Sequence, residues 1–225
     1  MFMGHYGPGL VIKAARPALP LWLLFVAVQL VDVAWAVLVL LGIEKVRIVP
    51  GITESNALDL YYMPYTHSLV AALLWSLAAA VLWRLVPRAR SWPVAAWLGL
   101  AVFSHWVLDL LVHRPDLPLY SDVFKVGFGL WNFPMLALGL EALLFFGCMF
   151  VYLKRTTAVG TFGRYGMPVF GLVLLVFQAA MLFGPPPPSS TAAAVSALVA
   201  YALVAAVAYW LDRQRVRGTF AGPGA

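Results

Sequence analysis

The sequence predicts an all-α integral membrane protein with six transmembrane helices and both termini in the cytoplasm. Its 225 residues are 63% hydrophobic and only 11% charged, and the mean hydropathy is +0.89. Soluble domains are about half apolar and about a quarter charged, so this composition excludes an ordinary soluble domain. The basic residues also fall between the apolar segments in a pattern that gives an orientation. We therefore predict a single polytopic membrane domain over residues 1–225.

Six apolar stretches account for most of the chain. Each is near the length needed to cross about 30 Å of hydrocarbon. The only cysteine, Cys148, lies in the fourth stretch, which excludes a disulfide framework or a zinc site built on cysteines. The predicted spans are residues 19–43, 67–86, 92–112, 128–153, 165–184 and 191–211.

The distribution of basic residues orients these spans. Eleven of the fifteen Lys and Arg residues lie at the two termini or in the second-to-third and fourth-to-fifth connections. Because positively charged loops stay in the cytoplasm, both termini are predicted to be cytoplasmic. The same scattering over short connections explains the net charge of +6 without a nucleic-acid partner.

The third span carries ionisable residues at four-residue intervals: His105, Asp109 and His113. Residues four apart lie on one face of a helix, so these side chains form a polar stripe. An ionisable side chain at bilayer depth costs about 2.5–3.5 kcal/mol on insertion scales. The stripe therefore calls for a functional explanation.

Further polar residues lie in the first, second and fourth spans, where they can line one cavity open to the outer face. Imidazoles and carboxylates are suitable ligands for zinc, manganese or iron. The sequence predicts a divalent metal held by four of these residues, with two more that either support the ligands or act as acid–base groups. The predicted metal ligands are Asp32, His67, His105 and Asp109, and the predicted acid–base residues are Glu141 and His113.

Each of these residues also has a structural interpretation. Asp32 can simply bond a neighbouring helix, and His105 with Asp109 can be an ion pair between spans. His67 can belong to a helix cap, His113 to a solvated helix end, and Glu141 to a helix or oligomer contact. Their joint occurrence favours a functional site.

The two halves of the chain differ in polarity. Residues 19–153 form the predicted four-helix core of the metal site, whereas residues 165–211 contain no Asp, Glu, His, Lys or Arg. That last pair of helices is interpreted as scaffold or as the contact of a homo-oligomer, because small residues at four-residue spacing in the sixth span let helices approach closely. Residues 218–225 are expected to be disordered, and His5 is interpreted as part of a tail.

Two short segments carry a resemblance to a known family. Tyr65-Thr66-His67-Ser68, followed by Ser104-His105-Trp106-Val107-Leu108-Asp109, resembles the Thr-His-Ser and Ser-His-x-x-x-Asp signatures of the YdjM-like (LexA-regulated) inner-membrane-associated metal-dependent hydrolases. The family also carries acidic residues near its first hydrophobic segment, which Asp32 matches. The resemblance covers roughly residues 20–115. It implies a multi-pass inner-membrane protein with a metal-dependent hydrolase site.

The chain departs from the family pattern at two places. Tyr62-Met63-Pro64 stands where the family often has His-Arg-Gly, and Val31-Asp32-Val33-Ala34 stands where it has Pro-Asp-x-Asp. Two alternatives follow for this chain. Either it uses a smaller ligand set, with Asp59 or His113 compensating, or it does not bind metal.

Three functions are compatible with the sequence. The leading hypothesis is a metal-dependent hydrolase acting on a lipid-linked or amphiphilic substrate at the outer face of the inner membrane. Buried Asp, His and Glu residues also form proton relays, which leaves a proton-coupled transporter as the second hypothesis. The third is a non-catalytic membrane module in which the polar groups specify helix packing.

Overall fold

The computed structural model describes residues 1–85 and 91–217, and within them the chain is mostly helical. The predicted disorder of residues 218–225, the end of the second predicted span and the basic residues Arg88 and Arg90 lie outside the described residues. The helices are α1 (Tyr6–Ala15), α2 (Leu21–Val28), α3 (Leu30–Leu40), α4 (Leu69–Leu85), α5 (Trp92–Val112), α6 (Pro134–Arg155), α7 (Gly160–Phe183) and α8 (Ser190–Asp212), with a short 3-10 helix at Leu130–Asn132.

Four helices, α5 to α8, are long and apolar enough to cross a membrane. This confirms a multi-pass, mostly helical membrane protein. The predicted first span is not one straight helix, because α2 and α3 meet at an angle of 55°. Helix α4 is apolar but shorter than the four long helices.

Two small antiparallel ribbons lie at opposite ends of the bundle. Strands β1 (Lys45–Ile48) and β2 (Leu58–Tyr62) form a hairpin between α3 and α4. Strands β3 (Thr156–Ala158) and β4 (Arg215–Arg217) join the ends of α6 and α8. We call these the hairpin end and the ribbon end.

Helix α1 was not foreseen from the sequence, which placed the first span after residue 18. It packs inside the bundle against α2, α5 and α6. Its residues Tyr6 and Leu10 are fully buried. At the ribbon end, the Lys13 ammonium lies 2.8 Å from Asp212 Oδ2, which also accepts the backbone N–H of Leu21. Residues 1–15 therefore run from the middle of the bundle towards the ribbon end.

Apolar side chains form two buried clusters. The larger contains residues of α1, α2, α5, α6, α7 and α8, and the smaller lies at the hairpin end around Trp35, Met63 and Trp131. Much of the remaining apolar surface, such as Leu172, Val173 and Val176 on α7, is exposed, as expected for helices that face lipid.

Helices α4 and α5 approach closely at Gly99. A Cβ built on Gly99 would lie 3.0 Å from the carbonyl oxygen of Ser76 and 3.4 Å from the Ala80 Cβ. A side chain at this position must push the two helices apart. Small residues at such crossings are typical of packed membrane helices.

We expect Gly99→Leu to destabilise the protein by about 1–3 kcal/mol, the usual cost of overpacking. The melting temperature in detergent measures this. Gly139→Leu is the matched control, since a Cβ at Gly139 meets nothing within 4 Å. Equal melting temperatures for the two variants would contradict the close α4–α5 contact.

Candidate metal centre

Polar side chains from two helices, α3 and α5, and from the loop before α4 meet around the carboxylate of Asp109 on α5. Asp109 Oδ2 lies 3.0 Å from His105 Nε2, 3.7 Å from His67 Nε2 and 3.6 Å from His113 Nε2. The second carboxylate is that of Asp32 on α3, whose Oδ1 lies 3.2 Å from His67 Nε2 and 3.5 Å from His105 Nε2. The structure thus brings together all four predicted metal ligands and adds His113. We call these five residues the polar cluster.

The break between α2 and α3 holds His105. Helix α2 ends at Val28, and carbonyls at a helix C-terminus lack intrahelical partners. The Val28 carbonyl oxygen instead lies 2.8 Å from His105 Nδ1. A carbonyl only accepts hydrogen bonds, so Nδ1 carries the proton. In the neutral imidazole, Nε2 of His105 then presents a lone pair to the cluster.

His67 is held by a two-step hydrogen-bond chain. The Thr66 hydroxyl donates to Glu44 Oε2 at 2.6 Å, and the same hydroxyl oxygen lies 2.8 Å from His67 Nδ1. The Thr66 hydroxyl has one proton and uses it in the hydrogen bond to Glu44. Its oxygen therefore accepts the Nδ1–H of His67. Burial raises the pKa of Glu44, and its hydrogen bonds from Thr66 and the Tyr65 backbone oppose that rise. Since the proton of neutral His67 is on Nδ1, its Nε2 atom carries a lone pair, as that of His105 does.

His113, at the other end of the stripe from His105, also has its Nδ1 bonded to an acceptor outside the cluster. Its Nδ1 lies 2.9 Å from Asp116 Oδ1. Asp116 in turn accepts from Arg114, which also pairs with Asp59. The carboxylate of Asp116 accepts, so the His113 proton is on Nδ1 and its Nε2 faces Asp109. Asp59 is buried and accepts from Arg47 and Arg114, which satisfy its two oxygens.

The three imidazoles thus direct lone pairs at two carboxylates, the buried Asp109 and the half-buried Asp32. Nε2 of His105 lies 3.0 Å from Asp109 Oδ2, yet its alignment gives it no hydrogen-bond partner. A lone pair facing an anionic oxygen is unfavourable unless a cation lies between them, and that cation is either a proton or a metal ion. Fixing the far ring nitrogen by a carbonyl, hydroxyl or carboxylate is the arrangement that orients histidines as metal ligands. The donor set fits a divalent metal.

Within residues 1–85 and 91–217, two groups of three side chains are close enough to hold a metal ion. In each, the donor atoms lie within 4.8 Å of one another. His105 belongs to both, and all members except the half-buried Asp32 are buried. The groups are Asp32 with His67 and His105, and His5 with His105 and Asp109.

The interpretation of His5 as part of a tail is wrong. His5 is fully buried, its ring stacks on that of His105 with centroids 3.9 Å apart, and its Nε2 lies 3.0 Å from Asp109 Oδ1. The Met1 nitrogen lies 2.8 Å from the same oxygen. Asp109 is therefore approached by His5 and Met1 on one oxygen and by the histidines of the cluster on the other. The only feature of the sequence that could have indicated this burial is the hydrophobic segment around His5.

Glu141 lies beside the cluster rather than in it. Its Oε2 accepts the backbone N–H groups of Phe2 and Gly4, at 3.0 and 3.1 Å. Its Oε1 is buried and has no hydrogen-bond partner. Glu141 is fully buried, and it lines the same cavity as Asp32 and Asp109.

The last two helices also contribute to the site. The Tyr201 hydroxyl of α8 donates to Asp32 Oδ2 at 2.7 Å, and Gln178 Oε1 of α7 accepts the Met3 backbone N–H at 3.3 Å. Sequence reasoning missed these residues because tyrosine and glutamine are common in apolar helices. They bring both helices to the candidate site, α8 through Asp32 and α7 through the Met3 backbone, in addition to any scaffold role.

A cavity of about 560 Å³ connects the cluster to the surface. Its inner wall contains Asp32, His67, Asp109, His113 and Glu141. Residues 50–58 of the β1–β2 connection line its mouth, and the C-terminal part of α7 and the N-terminal half of α8 line its side. The cluster is therefore accessible to a small molecule.

Comparisons with known proteins return no relatives: no protein family, no curated protein and no solved structure matches this chain.

Glu141→Leu is expected to leave the amides of Phe2 and Gly4 unpaired in a buried site. Each unpaired group costs about 1–3 kcal/mol. Glu141→Gln keeps an acceptor oxygen and serves as the control. Unfolding in a denaturing detergent measures the difference. Equal stabilities of the two variants would show that Glu141 does not hold residues 1–4 in place.

Proposed function

We propose that this protein is a membrane-bound metal-dependent hydrolase acting on a lipid-linked or amphiphilic substrate. One observation carries the proposal: three imidazole Nε2 atoms, each with its Nδ1 proton bonded elsewhere, face the carboxylates of Asp109 and Asp32. A proton could neutralise one such contact. A divalent cation would neutralise several of them at once, since imidazoles and carboxylates are its ordinary ligands.

The residues that would hold the metal are His67, His105, His113, Asp32 and Asp109. This set adds His113 to the four predicted ligands, and it compensates for the histidine that the family pattern places before Thr66. Nitrogen and carboxylate donors favour zinc, manganese or iron. A divalent cation supplies Lewis acidity, which acidifies water and polarises an ester or phosphoester oxygen.

Glu141 supplies the acid–base group. Glu141 lines the cavity and its Oε1 has no hydrogen-bond partner, so this oxygen can accept a proton from the attacking water. The water oxygen bonds to the carbonyl carbon or phosphorus, the bond to the leaving oxygen breaks, and Glu141 returns the proton to that oxygen. The backbone N–H groups of Phe2 and Gly4 hold the carboxylate in position through Oε2.

The orientation follows from charge. The bent pair α2–α3 counts as one span and α4 as another, which gives six spans with α5 to α8. The basic residues concentrate at the ribbon end, which makes it the cytoplasmic side. The cavity mouth at residues 50–58 is at the hairpin end, so the site opens to the outer face of the inner membrane. Helix α1 begins at the site and runs to the cytoplasmic side.

The resemblance to the YdjM-like hydrolases is consistent with this proposal. The residues that carry it, His67, His105, Asp109 and Asp32, are four of the five members of the polar cluster. The inner-membrane location is inferred from this resemblance.

Purified protein is expected to contain about one divalent metal ion per chain, measured by elemental analysis. Asp109→Ala and His105→Ala remove ligands and should abolish binding, whereas Asp122→Ala should not, because Asp122 pairs with Lys125 at the surface. Hydrolysis of short carboxylic and phosphoric esters should require the metal, cease with a chelator and return when metal is restored. Wild-type protein that is metal-free after purification and takes up none would overturn the proposal.

Thr66→Val tests the orientation of His67. The substitution removes the oxygen that accepts the Nδ1 proton and keeps the shape of the side chain. Loss of such a supporting partner typically weakens metal binding by about 10–100-fold. Titration with a competing chelator measures the affinity. Thr157→Val, an exposed threonine at the ribbon end, is the control and should leave the affinity unchanged.

A further inference from the structure

The cavity has a polar end and an apolar end. The polar end is the cluster with Glu141. The apolar end is bounded by Phe177 and Met181 of α7 and by Ala193, Ala197 and Ala200 of α8. We call this apolar end the α7–α8 slot. An apolar cavity with convergent polar groups at one end is the usual form of a ligand site.

The slot opens sideways. Phe177 and Met181 line the cavity, and their side chains are also 43% and 54% exposed. They lie on a helix whose neighbouring positions Val173 and Val176 are exposed and apolar. In a membrane, such a face contacts hydrocarbon rather than water. The slot therefore connects the cluster with the bilayer as well as with the outer face.

Small residues of α8 create the space. Ala193, Ser196, Ala197 and Ala200 are the positions whose spacing suggests close helix packing. In the structure all four line the cavity. Helix α8 packs on α2 and α3 along another face, and Tyr201 of the same turn reaches Asp32. These small side chains leave a channel beside the cluster.

A separate observation shows that the cavity is suited to a polar ligand group. Glu141 is fully buried, lines the cavity and has an oxygen, Oε1, with no hydrogen-bond partner. Buried polar atoms are normally paired with protein, water or ligand. A substrate whose head lies at the cluster and whose chain lies in the α7–α8 slot would place its polar group beside this oxygen.

We propose that the substrate is an amphiphile with a single hydrocarbon chain, which enters from the bilayer through the α7–α8 slot. This inference rests on the proposed hydrolase function and names its substrate class. A volume of about 560 Å³ is within the range of about 300–1,000 Å³ for sites of drug-sized ligands. That space suits a head group with part of one chain. A two-chain phospholipid requires more.

Selection then depends on the head group. A chain that moves from lipid into the slot leaves one apolar environment for another, so it gains little from the hydrophobic effect. Binding energy comes from the polar end, where the cluster and Glu141 meet the ester group. The slot excludes bulkier molecules by size, because only a hydrocarbon chain that fits beside Ala197 brings its head group to the polar cluster.

Photolabelling tests the slot. The probe is a monoalkylglycerol ether with a diazirine in its chain, incorporated into phosphatidylglycerol vesicles that contain the full-length protein. Trp35 lines the cavity and is only 5% exposed, so lipid around the bundle does not reach it. We expect mass spectrometry to find label on the Trp35 peptide, and an excess of unlabelled ether to remove it.

Ala197→Trp fills the slot and should abolish the label at Trp35. Val199→Trp, two positions away on the lipid-facing side of α8 and 53% exposed, should retain it. Two results would contradict entry through the α7–α8 slot. One is a wild-type protein whose Trp35 carries no label that unlabelled ether can compete away, and the other is equal labelling of the two variants. A two-chain phosphatidylglycerol probe that labels Trp35 as strongly as the ether would overturn the single-chain assignment.

Metal analysis of the same samples separates this inference from the proposed function. Metal-bound protein without label at Trp35 contradicts the slot and leaves the hydrolase proposal standing. Metal-free protein that is labelled at Trp35 contradicts the hydrolase proposal. It shows instead that the cavity binds a lipid chain for a function other than metal-dependent hydrolysis.

Discussion

The carboxylate of Asp109 is the constraint on which the rest of the structure depends. A buried carboxylate is expensive unless it is paired and hydrogen-bonded. Five groups surround it: the Met1 nitrogen and the imidazoles of His5, His67, His105 and His113. His105 and His113 lie on or next to the same helix as Asp109, whereas the other three groups have to be brought to it by distant parts of the chain. The insertion of residues 1–15 and the position of the Thr66–His67 turn both satisfy this requirement.

Periodicity and composition predicted the parts of the protein that depend on local sequence. The four long helices, the shared face of His105 and Asp109, and the association of Asp32 with His67 all follow from spacing and hydrophobicity. These features need only the 3.6-residue repeat and the cost of charge in hydrocarbon. His113 is predicted as an acid–base residue rather than a metal ligand, and its Nε2 faces the same Asp109 oxygen as that of His105.

The parts that were missed depend on contacts between residues far apart in the chain. His5 is buried because residues 1–5 bond to Asp109 and Glu141, more than 100 positions away. Glu44 orients His67 through the Thr66 hydroxyl, and no local sequence pattern signals this hydrogen-bond chain. The small residues of α8 fit two outcomes, a tight helix contact or a channel wall. Which one occurs is decided by where α7 lies.

The use of a main-chain oxygen to hold His105 has an evolutionary consequence. Every amino acid supplies the same carbonyl, so position 28 can change its side chain without disturbing the histidine. Selection falls instead on the helix interruption that frees this oxygen, a property of backbone shape spread over several residues. Among divergent descendants of this chain, the support of His105 would persist with no invariant residue to mark it. Comparison of sequences alone would overlook it.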